Sequence, residues 1–170
     1  FNPRLATERR RVASQVKHGE IIIDMFAGVA PFPLVISKHS GAREIYAIDL
    51  NPDAMEFMVR NIEMNKVENI TPMNGDARAI IKELPKADRV IMNLPQSASD
   101  FLEDALNASK IGATIHLHRI SERDPGTDAI KEMANDLGYA VEVSEPIELK
   151  TYSPSMSVYV FDIVNKGLIS

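Results

Sequence analysis

Short apolar segments alternate with helix-like segments along most of the chain, and this alternation constrains the fold more than any other feature. Residues 21–23 and 45–48 are typical: each is rich in β-branched residues and is followed by the apolar spacing of an amphipathic helix. Strands that alternate with helices form parallel sheets. Two further strands, 139–143 (extended towards Leu149) and 157–164, follow one another without a helix. The sequence therefore predicts an α/β, Rossmann-like fold with a mainly parallel seven-stranded sheet and an antiparallel edge strand.

The composition narrows the classes of function. A chain of 170 residues suits one domain with a full core, and its formal net charge of −5 argues against coating nucleic acid by charge alone. The absence of cysteine excludes disulfides and thiolate metal sites, and it agrees with a cytoplasmic location. There is no apolar run long enough for a membrane span, and no signal peptide is visible. Because the chain begins with Phe1 rather than Met, we expect a segment upstream of it.

The turn after the first strand, residues 24–32, reads Asp-Met-Phe-Ala-Gly-Val-Ala-Pro-Phe. Ala27 and Gly28 allow a ligand to approach the backbone, and Asp24 lies on the ligand side of the turn. The G-x-G-x-x-G fingerprint of dinucleotide sites is absent. The segment resembles the S-adenosylmethionine (AdoMet) loop of class I methyltransferases, in which a carboxylate suits the cationic methionine end. The alternative is an ordinary turn between a strand and a helix.

Polar residues recur where the predicted strands end, at Asp24, Asp49, Asp76 and Asn93. An acid at the end of the second strand of a Rossmann-like unit binds ribose hydroxyls, which fits Asp49. Asp76 can accept a hydrogen bond from an adenine amino group, and the backbone of Ala77 can bind a ring nitrogen. Each could instead cap a helix. Four at successive strand ends favour a nucleoside ligand.

The first eighteen residues are basic, with Arg4, Arg9, Arg10, Arg11 and Lys17 against a single acid, Glu8. One interpretation is a solvated amphipathic helix with an Arg4–Glu8 pair at i, i+4. The other is a phosphate-facing edge beside the ligand loop.

Residues 93–96, Asn-Leu-Pro-Gln, resemble the Asn-Pro-Pro-aromatic motif of amino-directed methyltransferases. Leu94 and Gln96 depart from that motif and remove its stacking surface, which argues against a flipped exocyclic amine as the target. His116 and His118 share one face of a predicted strand, but no third ligand has suitable spacing. We therefore expect a structural role for both and no metal site.

Three segments together indicate a family: 2–9, the loop 24–32 with 49–52, and 93–95 with 101–102. They resemble the catalytic domain of the archaeal and eukaryotic tRNA guanine-N1 methyltransferases, which modify the purine 3′ of the anticodon, at position 37. Residues 150–154, Lys-Thr-Tyr-Ser-Pro, also match. Ala30 stands where the family usually has glycine, which should narrow the loop slightly. The family's upstream tRNA-holding domains are absent, so residues 1–170 are expected to be a single catalytic domain.

The resemblance implies transfer of the methyl group of AdoMet to N1 of guanosine in the anticodon region of tRNA, by a monomer without metal or membrane. Guanine N1 carries a proton, so a general base is needed. Glu8 matches that base, Asn93 would hold the guanine edge, and Arg4 would orient the substrate or Glu8. The implied cofactor set is Arg9, Asp24, Phe26, Gly28, Asp49, Leu50, Asn51, Asp76, Ala77 and Asn93.

Three alternatives stay open at this point. The first is a methylase or aminocarboxypropyl transferase acting on the tricyclic (wyosine) guanosine at the same tRNA position, although Asn93 argues against the transferase. The second is a methyltransferase with another substrate, such as a small molecule. The third is an AdoMet-binding module without catalysis, which the presence of both Glu8 and Asn93 disfavours.

Overall fold

The computed structural model describes residues 3–170, which form one mixed sheet flanked by helices. The strands are β1 (Ile21–Asp24), β2 (Glu44–Asp49), β3 (Ile70–Asn74), β4 (Ala87–Met92), β5 (Ser109–Glu122), β6 (Tyr139–Val143), β7 (Ile147–Thr151) and β8 (Met156–Leu168). The helices are α1 (Pro3–Gln15), α2 (Pro31–His39), α3 (Pro52–Asn65), α4 (Ala77–Ile80), α5 (Leu102–Ala108) and α6 (Asp128–Asp136).

The first five strands are parallel, in the spatial order β3-β2-β1-β4-β5, which confirms the α/β prediction. β8 pairs antiparallel with β5, and its other edge is shared by two short strands. β7 pairs with the first part of β8, and β6 pairs with the later part, both antiparallel. The described sheet therefore has eight strands rather than seven, and its antiparallel strand lies one position inside the edge. Pro146 falls between β6 and β7, and a proline cannot donate a ladder hydrogen bond.

The strands bury both faces, as parallel strands between helices must. Along β1, Ile22 faces a core formed with α1, α2 and α3, whereas Ile23 faces the core formed with α4, α5 and α6. Full burial of an isoleucine side chain contributes about 1.5–3 kcal/mol. The alternation therefore fixes which face of the sheet packs against which set of helices.

Local sequence signals explain two of the helix ends. Asn51 caps α3 by accepting a hydrogen bond from the backbone N–H of Asp53 at 2.9 Å, and Pro52 is the first helical residue. α6 stops just before Gly138, whose φ of 87° lies in the left-handed region. Within residues 3–170, none of the helices combines the length and apolarity that a membrane span requires.

Candidate active site

The carboxyl ends of β3, β2, β1 and β4 are neighbours, so the polar residues that follow them share one edge of the sheet. This edge opens into a cleft of about 380 Å³, a volume suited to a small ligand. Its lining is partly acidic and partly apolar, and consists of Met25, Phe26, Asp49, Leu50, Asn51, Gly75, Asp76, Ala77, Leu94 and Phe101.

The carboxylate of Asp49 ties two turns of the cleft together. One oxygen accepts a hydrogen bond from the backbone N–H of Gly28 at 2.8 Å, and the other accepts from the N–H of Asn51 at 2.8 Å. Gly28 has a φ of 59°, a conformation that a glycine adopts without strain. Each carboxylate oxygen has a second lone pair. Asp49 can therefore hold the turns and still accept hydrogen bonds from ligand hydroxyls.

Asp24 lies at the end of β1, only 1% exposed and outside the lining of the cleft. Burial raises its pKa to about 7, against the opposing effect of a hydrogen bond from the Phe26 N–H (3.3 Å), and the nearby charge of Asp49 adds to the rise. A buried carboxyl with this pKa ionises readily when a cation approaches. Asp24 is thus suited to stabilise a positive ligand group from beneath the loop.

Asp76 and Ala77 form the part of the cleft beyond Asp49. Asp76 caps α4 by accepting a hydrogen bond from the N–H of Arg78 at 2.9 Å, and it also lines the cleft. The capping interpretation and the ligand interpretation are therefore compatible, since a carboxylate has a second oxygen.

Phe26 and Phe101 form an aromatic wall of the cleft. The rings of Phe26 and Phe101 meet edge to face with centroids 5.0 Å apart, and the guanidinium of Arg78 lies 4.0 Å from the Phe101 centroid. Arg78 also pairs with Asp104 at 3.3 Å. Arginine over an aromatic face is attractive, so this side chain holds the wall in place.

Glu8 is 2% exposed, and both of its oxygens accept hydrogen bonds from Arg11, each at 2.8 Å. Arg4 pairs instead with Glu148 at 3.2 Å. The Arg4–Glu8 pair of the first interpretation is therefore wrong, because Glu8 faces the sheet and its partner, Arg11, is one turn later in the helix. The interpretation of Glu8 as part of a solvated surface fails with it.

Beyond Arg11, a chain of polar contacts runs across neighbouring strands of the sheet, from β8 through β5 to β4. Arg11 also pairs with Asp162 on β8 at 2.6 Å, and Asp162 accepts from His116 Nδ1 at 2.7 Å. Burial lowers the pKa of His116, so the ring is neutral at physiological pH, with Asp162 opposing the shift. Its other nitrogen lies 2.9 Å from Arg89, which in turn pairs with Glu20 at 2.9 Å. His116 is thus a link in a buried network.

His118, two residues after His116 on β5, is also buried, and its Nδ1 lies 3.3 Å from the carbonyl oxygen of Met92. In the described part of the chain, no three His, Cys, Asp or Glu side chains are grouped as a metal site would require.

A model of the TRM5/TYW2 methyltransferase domain matches residues 1–142 of this sequence, well over half of its length. The chain belongs to this family. Its relatives include the tRNA (guanine(37)-N(1))-methyltransferase Trm5b of Pyrococcus abyssi, 44% identical over 158 residues, which cover 91% of the chain and 46% of that protein. The tRNA 4-demethylwyosine(37)-methyltransferase Taw21 of Saccharolobus solfataricus is 42% identical over 135 residues, which cover 79% of the chain and 52% of that protein. The chain thus spans about half the length of these curated relatives.

Solved structures of TRM5/TYW2 proteins share the fold. The Trm5b structure from Pyrococcus abyssi has a TM-score of 0.87 at 38% identity, covering 98% of this chain and 50% of that one. TYW2 of Methanocaldococcus jannaschii in complex with AdoMet has a TM-score of 0.87 at 28% identity, covering 99% and 78%. A complex of aTrm5 with tRNALeu has a TM-score of 0.83 at 35% identity, covering 96% and 46%.

The structure brings together only part of the site that the TRM5/TYW2 resemblance implied. Phe26, Asp49, Leu50, Asn51, Asp76 and Ala77 line the cleft. The other predicted residues are not among its lining residues, and their roles stay predictions: Arg4, Glu8, Arg9, Asp24, Gly28 and Asn93. Sequence reasoning missed four residues of the lining: Met25, Gly75, Leu94 and Phe101. Leu94 and Phe101 lay in motifs that pointed to the family, but apolar side chains carry no signal that separates a ligand wall from a core.

Ala30, for which the resemblance leads us to expect glycine, has a φ of 71° and a ψ of 42° and is fully buried. This is the left-handed region, which costs an alanine about 1–2 kcal/mol relative to the right-handed helix. The backbone thus explains why glycine suits this position.

Proposed function

We propose that this chain is the catalytic domain of an AdoMet-dependent methyltransferase that modifies N1 of guanosine 37 in tRNA. The observation that carries the proposal is the acidic, aromatic-walled cleft at the carboxyl edge of the sheet. Glu8, the proposed base, lies on α1, where it is buried and outside the lining of this cleft. The names of the Trm5b relatives support the substrate.

In this proposal the cleft holds AdoMet. Asp49 accepts from the ribose hydroxyls, while Asp76 and the backbone of Ala77 bind the adenine. Asp24 faces the cationic methionine end from beneath the loop, as its raised pKa suits. The TYW2 structure in complex with AdoMet supports this choice of cofactor. When bound, AdoMet supplies an activated methyl group on its sulfonium.

Glu8 then acts on the target base. Guanine N1 gives its proton to the Glu8 carboxylate, and the freed lone pair forms the new bond to the methyl carbon as the carbon–sulfur bond breaks. Asn93 holds the guanine edge, and Arg4 orients the substrate. Because no further bond is made, the protein contributes mainly alignment and one proton acceptor.

A second candidate reaction is favoured by the likeness to Taw21: methylation of the tricyclic guanosine derivative at position 37. Aminocarboxypropyl transfer is the third, since a tRNA(Phe) (4-demethylwyosine(37)-C(7)) aminocarboxypropyltransferase is also a relative. In each case the cleft would hold AdoMet, and the reactions would differ in the target base or in the group transferred.

One experiment separates the reactions. The complete gene product is incubated with AdoMet labelled either in its methyl group or in its aminocarboxypropyl chain, and with tRNA bearing either guanosine 37 or the tricyclic derivative. Nucleoside analysis should find N1-methylguanosine, with label only from the methyl group. Transfer of the other chain, or methylation of the tricyclic base alone, would contradict the proposal.

The role of Glu8 is tested by Glu8→Gln, which keeps the size of the side chain but removes the proton acceptor. Single-turnover methylation at saturating AdoMet should slow by about 10²–10⁴-fold, the usual cost of losing a general base, with AdoMet affinity unchanged. Glu132→Gln, an exposed position on α6, is the matched control. A Glu8→Gln protein within threefold of the parent rate would remove Glu8 from the mechanism.

A further inference from the structure

The next inference rests on the proposed role of Glu8 and concerns what holds that side chain. Glu8, Arg11 and Gln15 occur at i, i+3 and i+7, so they lie on one face of α1. That face is turned towards the sheet, where all three side chains reach other polar groups.

Arg11 donates hydrogen bonds to two carboxylates, those of Glu8 and Asp162. Its Nε and Nη2 donate to the two oxygens of Glu8 at 2.8 Å each, while Nη1 and Nη2 donate to the two oxygens of Asp162 at 2.6 and 3.0 Å. Paired hydrogen bonds from a planar guanidinium fix both the distance and the plane of a carboxylate. The orientation of Glu8 is therefore set by Arg11, and the orientation of Arg11 is set by Asp162.

Asp162 is itself fixed from two elements. Besides Arg11 it accepts hydrogen bonds from Gln15 Nε2 at 3.1 Å and from His116 Nδ1 at 2.7 Å. Burial raises the pKa of Asp162, but the hydrogen bonds from His116 and Arg11 outweigh burial and bring that pKa well below its usual range. Asp162 is thus an ionised anchor on β8, and a change of its side-chain orientation would break the four hydrogen bonds that it accepts.

We propose that Arg11 and Asp162 are positioning residues for the reaction: they hold the carboxylate of Glu8 so that its remaining lone pairs face the substrate. The competing explanation is that the cluster only fastens α1 to the sheet. The two explanations differ in one measurable respect. A positioning pair acts through Glu8, so its loss matters only while Glu8 is present.

A double-mutant cycle measures this difference. Arg11→Lys keeps the positive charge but lacks the planar fork, and Asp162→Asn keeps the size but loses the charge that anchors Arg11. Each is made in the parent and in the Glu8→Gln background of the complete gene product. Single-turnover methylation of tRNA at saturating AdoMet, AdoMet affinity and thermal unfolding are measured for every variant.

In the parent background, each substitution should slow methyl transfer by about 10- to 100-fold, the size of one charge-assisted hydrogen bond. In the Glu8→Gln background the same substitution should change the rate by less than about threefold, and AdoMet affinity should stay within about twofold throughout. Arg60→Lys, which alters an exposed Arg60–Glu56 pair on α3, should leave the rate unchanged.

Equal losses in the two backgrounds would overturn the inference and leave Glu8 as the base. A Glu8→Gln protein at the parent rate would instead overturn the proposed role of Glu8, and the positioning role with it. If Arg11→Lys fails to fold, the nearly isosteric Asp162→Asn decides the question by the same comparison.

Discussion

Removal of the Asp49 carboxylate should weaken AdoMet binding, and the hydrogen bonds and exposure of Asp49 set the expected size of the loss. In the proposed site Asp49 accepts hydrogen bonds from the ribose, and hydrogen bonds to a charged group are worth about 1.5–3 kcal/mol. Partial exposure of Asp49 lowers the bottom of that range, so we expect a loss of about 1–3 kcal/mol for Asp49→Ala. The dissociation constant of AdoMet should therefore rise by about 5- to 150-fold.

Asp49→Ala also removes the acceptor for the N–H groups of Gly28 and Asn51, both 2.8 Å away. The free energy of unfolding should fall as well, by about 1–3 kcal/mol, which denaturant titration measures separately. Asp53→Ala makes the same charge change on the exposed first turn of α3 and should leave the AdoMet dissociation constant within about twofold. Calorimetry that finds unchanged AdoMet affinity for a folded Asp49→Ala protein would refute the assignment of Asp49 to the ribose.

Three other predictions concern charge. Burial raises the pKa of Asp24 to about 7, and a ligand cation prefers the ionised carboxylate, so AdoMet affinity should increase from about pH 6 to 8. Asp24→Asn should flatten this increase, and a flat pH profile of the parent protein would contradict the prediction. The isolated domain has a net charge of −5, so it should bind tRNA weakly and with clear salt dependence, and Arg10→Glu should weaken the binding further. Tight binding that does not depend on salt would contradict this prediction. Glu20→Ala leaves Arg89 buried without its carboxylate, so the free energy of unfolding should fall by about 3–5 kcal/mol in denaturant titrations, and a loss below about 1 kcal/mol would argue against this.

The strand-end residues were predictable because they depend on local pattern and one general rule. A short apolar segment predicts each strand, and parallel neighbours bring their carboxyl ends to one edge. The sequence alone therefore predicts that Asp49 and Asp76 share a cleft. The cap that Asn51 forms on α3 is likewise local, because it depends on the position of Asn51 directly before Pro52.

The partners of α1 were not predictable by such rules. The i, i+4 spacing suggested Arg4 for Glu8, but the choice of Arg11 depends on Asp162, which lies 151 residues further along the chain. No local pattern reports a contact at that separation. The same limit applies to the far edge of the sheet, because only the pairing along β8 shows that β6 and β7 occupy successive parts of one edge.

The position of β8 has a consequence for how the protein matures during synthesis. The five parallel strands can leave the ribosome and begin to pair, but β8 must then enter between β5 and the two short strands made before it. Contacts of such long sequence separation form slowly. Asp162 arrives with β8, so Arg11 and Glu8 on α1 gain their anchor only after the strands between α1 and β8 have been translated. We expect nascent chains that end before β8 to lack methyl transfer even if their cofactor cleft has formed.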